Sequence, residues 1–511
     1  MKKEKLQEKW QGISEDLIVG MSEWRERHPR ASMREIEEEI DKRLSEMRAR
    51  MIADTAMNSA SAEWEKGASE VCPKCGGKLL KKGKKKRKLE TQGGKEIELE
   101  REYGICLDCG YGLFPLDEEL ELLSGKLTPC GHERLVRLSS YVPFEKAAEL
   151  FEGFMGIQVS KGVGQRYTEE AGTVYEELEK EESEEIQKKR LRATVMPNRL
   201  QVSADGAMVP LLHGVWAEVK TLVIGEVQPA VLKAGESVVR TRNLSYFSRK
   251  VNSEEFERLS LVEMHRRGVE NAKEVAAVMD GADWEQSFID YHCPRAVRIL
   301  DFAHAAEHIS QIGEFLHGEH TQASQTWLKD HLHHLKHAGP KKMLREFRKL
   351  QRKHPQEQAV SSNLAYLQKR EQQIQYPIFQ AQGWPIGSGI VESGNKLVVE
   401  ARLKGAGMHW AEQHVNPMLA LRNIVCSNRW KEEWSKIEAR IRKQRTIQEQ
   451  VAPPACVSGT EALLLIFKEK LGTDPLPSDL PSIPQKAKPN PWRNFKHGKA
   501  LCQRSGDLPK L

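Results

Sequence analysis

Apolar residues recur at helical spacing over residues 1–66, most clearly after Ser32, where Glu35 stands at the capping-box position and Ile36, Ile40, Leu44 and Met47 fall on one face. This predicts an amphipathic helix that packs or dimerises. Over 67–118 the pattern shortens to strand alternation, with Ile97, Leu99 and Tyr103 set between Glu96, Glu98, Glu100 and Glu102. Helical periodicity returns over 119–195 and ends in the acidic run Glu176–Glu185, which predicts a solvated helix or linker. Over 196–310 the apolar segments RLQVSAD, EVKTLVIGEV, VAAVMD and VRILD alternate with helical ones, as in an α/β sheet. The stretch 311–382 predicts helices alone and carries a basic segment, Lys341, Lys342, Arg345, Arg348, Lys349, Arg352 and Lys353. His333 and His337 share a helical face there, but no carboxylate or cysteine converges on them at ligand spacing, so they predict a polar face. Residues 383–447 return to the sheet-bearing region. The prolines at 475, 477, 481, 484, 489 and 491 then predict an extended, partly disordered tail over 448–511.

A chain of 511 residues is long enough for two to four such units. Its longest apolar run, Ala462 to Phe467, is far short of the roughly 18 residues that cross a bilayer, so a soluble protein without a membrane partner is expected. No signal-peptide core follows the N-terminus, which predicts a cytoplasmic location and makes the nine cysteines thiols or metal ligands. The net charge of +6 is mild, so a polyanion would be met by local patches. One such patch is Lys81 to Lys88, with Lys84, Lys85 and Lys86 as candidate DNA contacts.

Two matched knuckles carry the most specific chemistry: Cys72-Pro-Lys-Cys75-Gly and Cys106-Leu-Asp-Cys109-Gly. Four thiolates in this spacing can reach one tetrahedral Zn²⁺, and the glycines let backbone amides turn toward sulfur. The module reads as a zinc ribbon over 67–118. Cys130 and His132 read as incidental, because four thiolates close a zinc site.

Pro143 to Gly172 reads as a helix-turn-helix: Ala147, Ala148 and Phe151 form an apolar face, Gly156 breaks the first helix, and Ser160 caps a second from Lys161 to Ala171. Lys161, Gln165 and Arg166 then lie near the start of a recognition helix. Gly162 and Gly164, each costing about 1 kcal/mol inside a helix, weigh against that assignment.

Asp205 ends RLQVSAD, Asp280 ends VAAVMD, and Glu392 lies on a later helix that presents Asn395, Lys396, Val399 and Arg402 on the same side. Each Asp-Gly pair alone reads as a turn. Together the three carboxylates have the composition of a two-metal phosphoryl-transfer site binding Mg²⁺ or Mn²⁺. Asp301 and His304, after VRIL, read as a helix cap with a partnered histidine, or as support for that site.

With these residues assembled, the chain resembles bacterial insertion-sequence transposases of the ISKra type, in the Mutator-like DDE group, over roughly residues 30–430. The resemblance rests on the knuckles, YGLFPLDEEL, the helix-turn-helix, VSADGAMVP, MDGADW, ILDFAH and PIGSGIVESGNK. It implies a ribonuclease H-like core whose acidic trio is Asp205, Asp280 and Glu392, with an all-helical insertion before the helix bearing Glu392. It also implies an Asp-x2-His signature at Asp301 and His304. The expected fold is therefore multidomain α+β: N-terminal helices, zinc ribbon, helix-turn-helix, and an α/β catalytic core split by the insertion. The expected activity is DNA cleavage and strand transfer on double-stranded DNA, at element ends and target, by a homodimer or higher oligomer in a prokaryotic nucleoid. The alternatives are a catalytically silent regulator derived from such an enzyme, and a nuclease without strand transfer.

Overall fold

The computed structural model describes residues 3–59, 61–62, 71–72, 74–233 and 236–451, all within one compact unit, Met1–Ala452. The expected tail from residue 452 onward, and the boundary expected at 66, lie outside the described residues. The fold is mixed α+β. Among the described residues, no helix is long and apolar enough to cross a membrane.

Two N-terminal helices, Lys3–Arg27 and Met33–Met57, precede a three-stranded antiparallel sheet. The second is capped as its sequence predicts: Glu35 N–H donates to Ser32 Oγ and Ser32 N–H to Glu35 Oε2. Its inner end supplies Ala49 and Ala56 to a small core with Leu89, Ile97 and Leu99, whereas Ile40 and Leu44 stay exposed. The sheet is β1 (Leu79–Thr91), β2 (Lys95–Cys106) and β3 (Gly112–Leu113). At the β1–β2 turn, Gly93 N–H donates to the Met155 carbonyl at 2.7 Å, docking the hairpin tip on the helices that follow.

Further along the chain lie β4 (Arg199–Pro210), β5 (Trp216–Val227), β6 (Val231–Lys233), β7 (Glu236–Val238), β8 (Thr241–Arg249), β9 (Glu274–Met279) and β10 (Val297–Leu300). β6 and β7 form a small hairpin; the other five form one sheet in the order β10-β9-β4-β5-β8. β4, β9 and β10 run parallel, and β5 and β8 are antiparallel to their neighbours. Strand alternation supplies both faces. Leu200, Val202, Ala204, Ala277 and Met279 meet the helices Ser253–Arg266 and Asp283–His292. On the other face, Ala276, Val278 and Ile299 pack on the helices of 302–381, while Ala207, Val209, Val219 and Val223 pack on Val391, Val398 and Val399.

The acidic run forms the expected helix and departs from a solvated state at Glu179. The helix that starts at Lys161 continues to Lys189; Glu177, Glu181, Glu184 and Glu185 are exposed on it, whereas Glu179 and Ser183 are buried. Glu179 is buried and pairs with the equally buried Arg249 of β8, Glu182 pairs with Arg266, and Glu181 with Arg440. Sequence alone could not show this, because the cations come from distant segments. At the crossing of this helix with Glu412–Cys426, a Cβ at Gly172 would lie 2.2 Å from the Pro417 carbonyl oxygen, so only glycine fits. Glu179→Ala is expected to leave Arg249 as an uncompensated buried charge and cost about 3 to 5 kcal/mol, read as a lowered urea midpoint. A midpoint within error of the wild-type chain would contradict that pairing.

Candidate active site and metal centre

Three aspartates share one register at the end of the mixed sheet. Val202 of β4 pairs with Ala277 of β9, and Asp205 and Asp280 each lie three residues beyond. Leu300 of β10 pairs with Met279, and Asp301 and Asp280 follow. Neighbouring strands lie roughly 4.8 Å apart, so the three stand side by side. Asp205 does not end its strand, as the sequence suggested; β4 runs on to Pro210, paired with β5 alone, and Asp205 sits where its parallel neighbour stops.

Each carboxylate is held by its own partners. Asp205 Oδ1 accepts from Gly206 N–H at 2.6 Å and Oδ2 from the buried Asn395 amide at 2.9 Å. Asp280 Oδ1 accepts from Ala282 N–H at 2.8 Å, fixing the turn after β9. Glu392, exposed on the helix opened by Gly389, accepts from Ser388 Oγ at 3.2 Å. Burial raises the pKa of Asp205; the Asp280 and Glu392 charges raise it further, against the stabilising Gly206 N–H and Asn395 amide. Asp280 and Glu392 thus lie near enough for their charges to act on Asp205, and the three are oxygen donors, the donor chemistry that suits Mg²⁺ or Mn²⁺. Their ligand atoms do not all lie within 4.8 Å of one another; among the described residues, only the four cysteines satisfy that.

Asp301 acts as a staple. Its Oδ2 accepts from His304 N–H at 2.9 Å, capping the helix Phe302–His317, and its Oδ1 accepts from Ser388 N–H at 2.7 Å. Through Ser388 it ties the end of β10 to Glu392. His304 is half-exposed and lines a cavity of about 450 Å³ with Asp280, Tyr366, Lys369 and Arg370.

Several neighbours of the site carry no motif that sequence reasoning could have found. Glu285 is fully buried and accepts from Gly281 N–H at 2.9 Å; burial, then Asp280, pushes its pKa up to about 10. Tyr366 OH donates to the Asp280 carbonyl at 2.6 Å, and Arg370 donates to the Gly281 carbonyl. Gly281 has φ +88°, and a Cβ there would lie 2.6 Å from Arg370 Nε, so the glycine serves a close approach by the helical region. The face expected to carry Glu392, Asn395, Lys396, Val399 and Arg402 together is split: Glu392 and Lys396 are exposed, while Asn395, Val399 and Arg402 are buried. A π-helical turn over Asn395–Glu400 shifts the phase.

The four cysteine sulfurs all lie within 4.8 Å of one another and can hold a structural metal such as zinc. Cys75 and Cys106 Sγ are 3.4 Å apart, and Cys72 and Cys109 Sγ 3.7 Å. Gly76 and Gly110, after the second cysteine of each knuckle, have φ of +75° and +71°. Backbone N–H groups, Cys109's foremost and then Asp108's, work against burial to hold the Cys106 thiol down to about 7. Cys130 is exposed and His132 is buried, stacked on Tyr167 at 4.1 Å, and neither joins the cluster.

The lysine patch is laddered with acids from β2. Lys84 meets Glu100 at 3.2 Å and Lys86 meets Glu98 at 2.7 Å, while Lys85 lies over the Tyr103 ring. The helices Pro129–Tyr141, Phe144–Met155 and Lys161–Lys189 follow, with Gly156 as left-handed cap and Ser160 as N-cap. Lys161 and Arg166 are exposed at the start of the last, and Gln165 is half-buried and donates to Glu169.

Residues 31–438 match the Uncharacterised protein family UPF0236. The chain belongs to this family. No curated protein matches it. The UPF0236 match spans the cysteine cluster, the three helices and all the residues around Asp205, Asp280 and Glu392.

Proposed function

We propose that this UPF0236 member is a DNA transposase of an insertion sequence, similar to the ISKra type, that cuts element ends and joins them to target DNA through Asp205, Asp280 and Glu392. The observation that carries the reading is the shared register of Asp205 and Asp280 at one end of a sheet ordered β10-β9-β4-β5-β8, with the helix bearing Glu392 tied to Asp205 through Asn395. That order, with one antiparallel pair of strands beside three parallel ones, supports a ribonuclease H-like core. The helix pair Phe144–Met155 and Lys161–Lys189 supports a helix-turn-helix that reads end DNA. Exposed Ile40 and Leu44 on the N-terminal hairpin favour a dimeric or higher working form on DNA. A silent regulator has no need of a retained acidic trio.

Asp205, Asp280 and Glu392 would hold the divalent ions, which when bound lower the pKa of attacking water or a 3′ hydroxyl and stabilise the leaving oxygen. The chain's own residues set the stage. Asn395 fixes the Asp205 carboxylate, Ser388 fixes Glu392, and the Asp280 turn is clamped by Ala282 N–H, Tyr366 and Arg370. Buried Glu285 orients the Gly281 amide by accepting its N–H. The paired state of Lys84 and Lys86 leaves less free charge for phosphate on β1 than the sequence run suggests.

Mn²⁺ titration followed by electron paramagnetic resonance tests the ion-binding step. The zinc-loaded chain is expected to bind Mn²⁺, and a variant joining Asp205→Asn to Glu392→Gln to lose that binding. Equal binding by both would remove the trio from metal chemistry.

A further inference from the structure

The helix Pro340–Lys353 carries a feature that the transposition site does not use. Lys341, Lys342, Arg345, Arg348, Lys349, Arg352 and Lys353 are all exposed, and Glu346 is the helix's sole acid. Among the described residues, the one salt bridge these seven make is Arg348 with Glu371, at 4.0 Å. Glu346 instead faces His331 at 3.6 Å. The opposite side of the helix, Met343, Leu344 and Phe347, is buried at 0 to 1% exposure in the core beneath β9 and β10.

We propose that the outward face of this helix binds the phosphate backbone of duplex DNA beside the cutting site. The inference rests on the transposase reading and assigns the helical region between β10 and Glu392 a DNA-contact role. Three observations carry it. The apolar side is already spent on the core, so the helix has no apolar face to lay into a membrane; what remains outward is cationic. Lys341, Arg345, Arg348, Lys349 and Arg352 follow helical spacing over about 16 Å at 1.5 Å per residue. Duplex DNA presents one charge per roughly 1.7 Å of its axis, so this face can meet several phosphates at once. Finally, Arg348 approaches Glu371, next in sequence to Arg370, which clamps Gly281 and lines the cavity at Asp280. The basic face is thereby tied to the helical region that clamps the Asp280 turn.

The test uses the full-length zinc-loaded chain and a 30-base-pair duplex, with affinity measured by fluorescence anisotropy between 50 and 200 mM salt. Replacing Lys341, Arg345, Lys349 and Arg352 by Gln is expected to lower the slope of log affinity against log salt by about three to four units, near 0.9 for each phosphate no longer neutralised. Exchanging Lys and Arg at the same four positions should keep the slope, which separates charge from packing. Wild-type binding with an unchanged slope in the Gln variant would overturn this inference and leave the transposase reading standing. No duplex binding by the wild-type chain would overturn both. Charge-dependent capture by phosphatidylserine vesicles without duplex binding would overturn it in favour of a membrane surface.

Discussion

Asp280→Asn is expected to bind duplex DNA as the wild-type chain does and to cut it at least about a thousandfold more slowly. The amide keeps the size of the carboxylate and can still accept from Ala282 N–H, so the turn after β9 and its Tyr366 clamp persist. What disappears is one negative charge from the group proposed to hold two divalent cations. A loss of about 4 kcal/mol in transition-state stabilisation corresponds to about a thousandfold in rate. Adding Asp205→Asn should cost little more, since residues that act as a unit are not additive. Binding should survive because the expected DNA contacts lie on other elements, and removing a negative charge does not weaken attraction for phosphate. Single-turnover cutting and anisotropy, measured on the same preparation, check both halves. Cutting at near the wild-type rate would make Asp280 a structural turn residue.

The second large effect is expected at the cysteines. Cys106→Ser should release one equivalent of zinc, because a thiolate ligand becomes a hydroxyl and structural zinc supplies folding energy outright. The damage should be local. The knuckle end of the hairpin depends on the cluster for its small core of Cys72, Leu79, Cys106, Tyr111 and Leu113. The other end is held independently by Leu89, Ile97 and Leu99 against Ala49 and Ala56, and by the buried Arg101 and Asp117 pair. Hydrogen exchange should therefore rise at Leu79 and over 105–113 and stay slow at Leu89 and Leu99. Uniform protection with no zinc in the purified wild-type chain would contradict the cluster's structural role.

Much of this arrangement was legible in the sequence, for identifiable physical reasons. The knuckles were readable because tetrahedral thiolate binding demands fixed spacing and glycine turns, and Gly76 and Gly110 adopt the left-handed backbone that such turns require. Ser32 with Glu35, Gly156 and Ser160 were readable because caps are local. Short apolar segments set between helical ones marked β4, β5, β9 and β10, and with them Asp205 and Asp280. What escaped were long-range pairings. Glu179 looked solvated like the rest of the acidic run because its buried partner Arg249 is remote in sequence, as are Arg266 and Arg440 from Glu182 and Glu181. The lysine run looked free because cross-strand register with β2 decides which glutamate meets which lysine. Glu285, Tyr366 and Arg370 carry no motif; only the folded helical region brings the last two to the Asp280 turn.

Asp205, Asp280 and Glu392 are proposed to cut DNA with divalent ions. This role is tested most directly by incubating the zinc-loaded wild-type chain with duplex DNA from the borders of its own coding region, with Mg²⁺ or with chelator, and mapping new 3′ hydroxyl ends. Discrete cuts at the borders are expected with Mg²⁺, and none with chelator or in Glu392→Gln. Border DNA that is bound tightly yet stays intact with Mg²⁺ or Mn²⁺ would contradict that role.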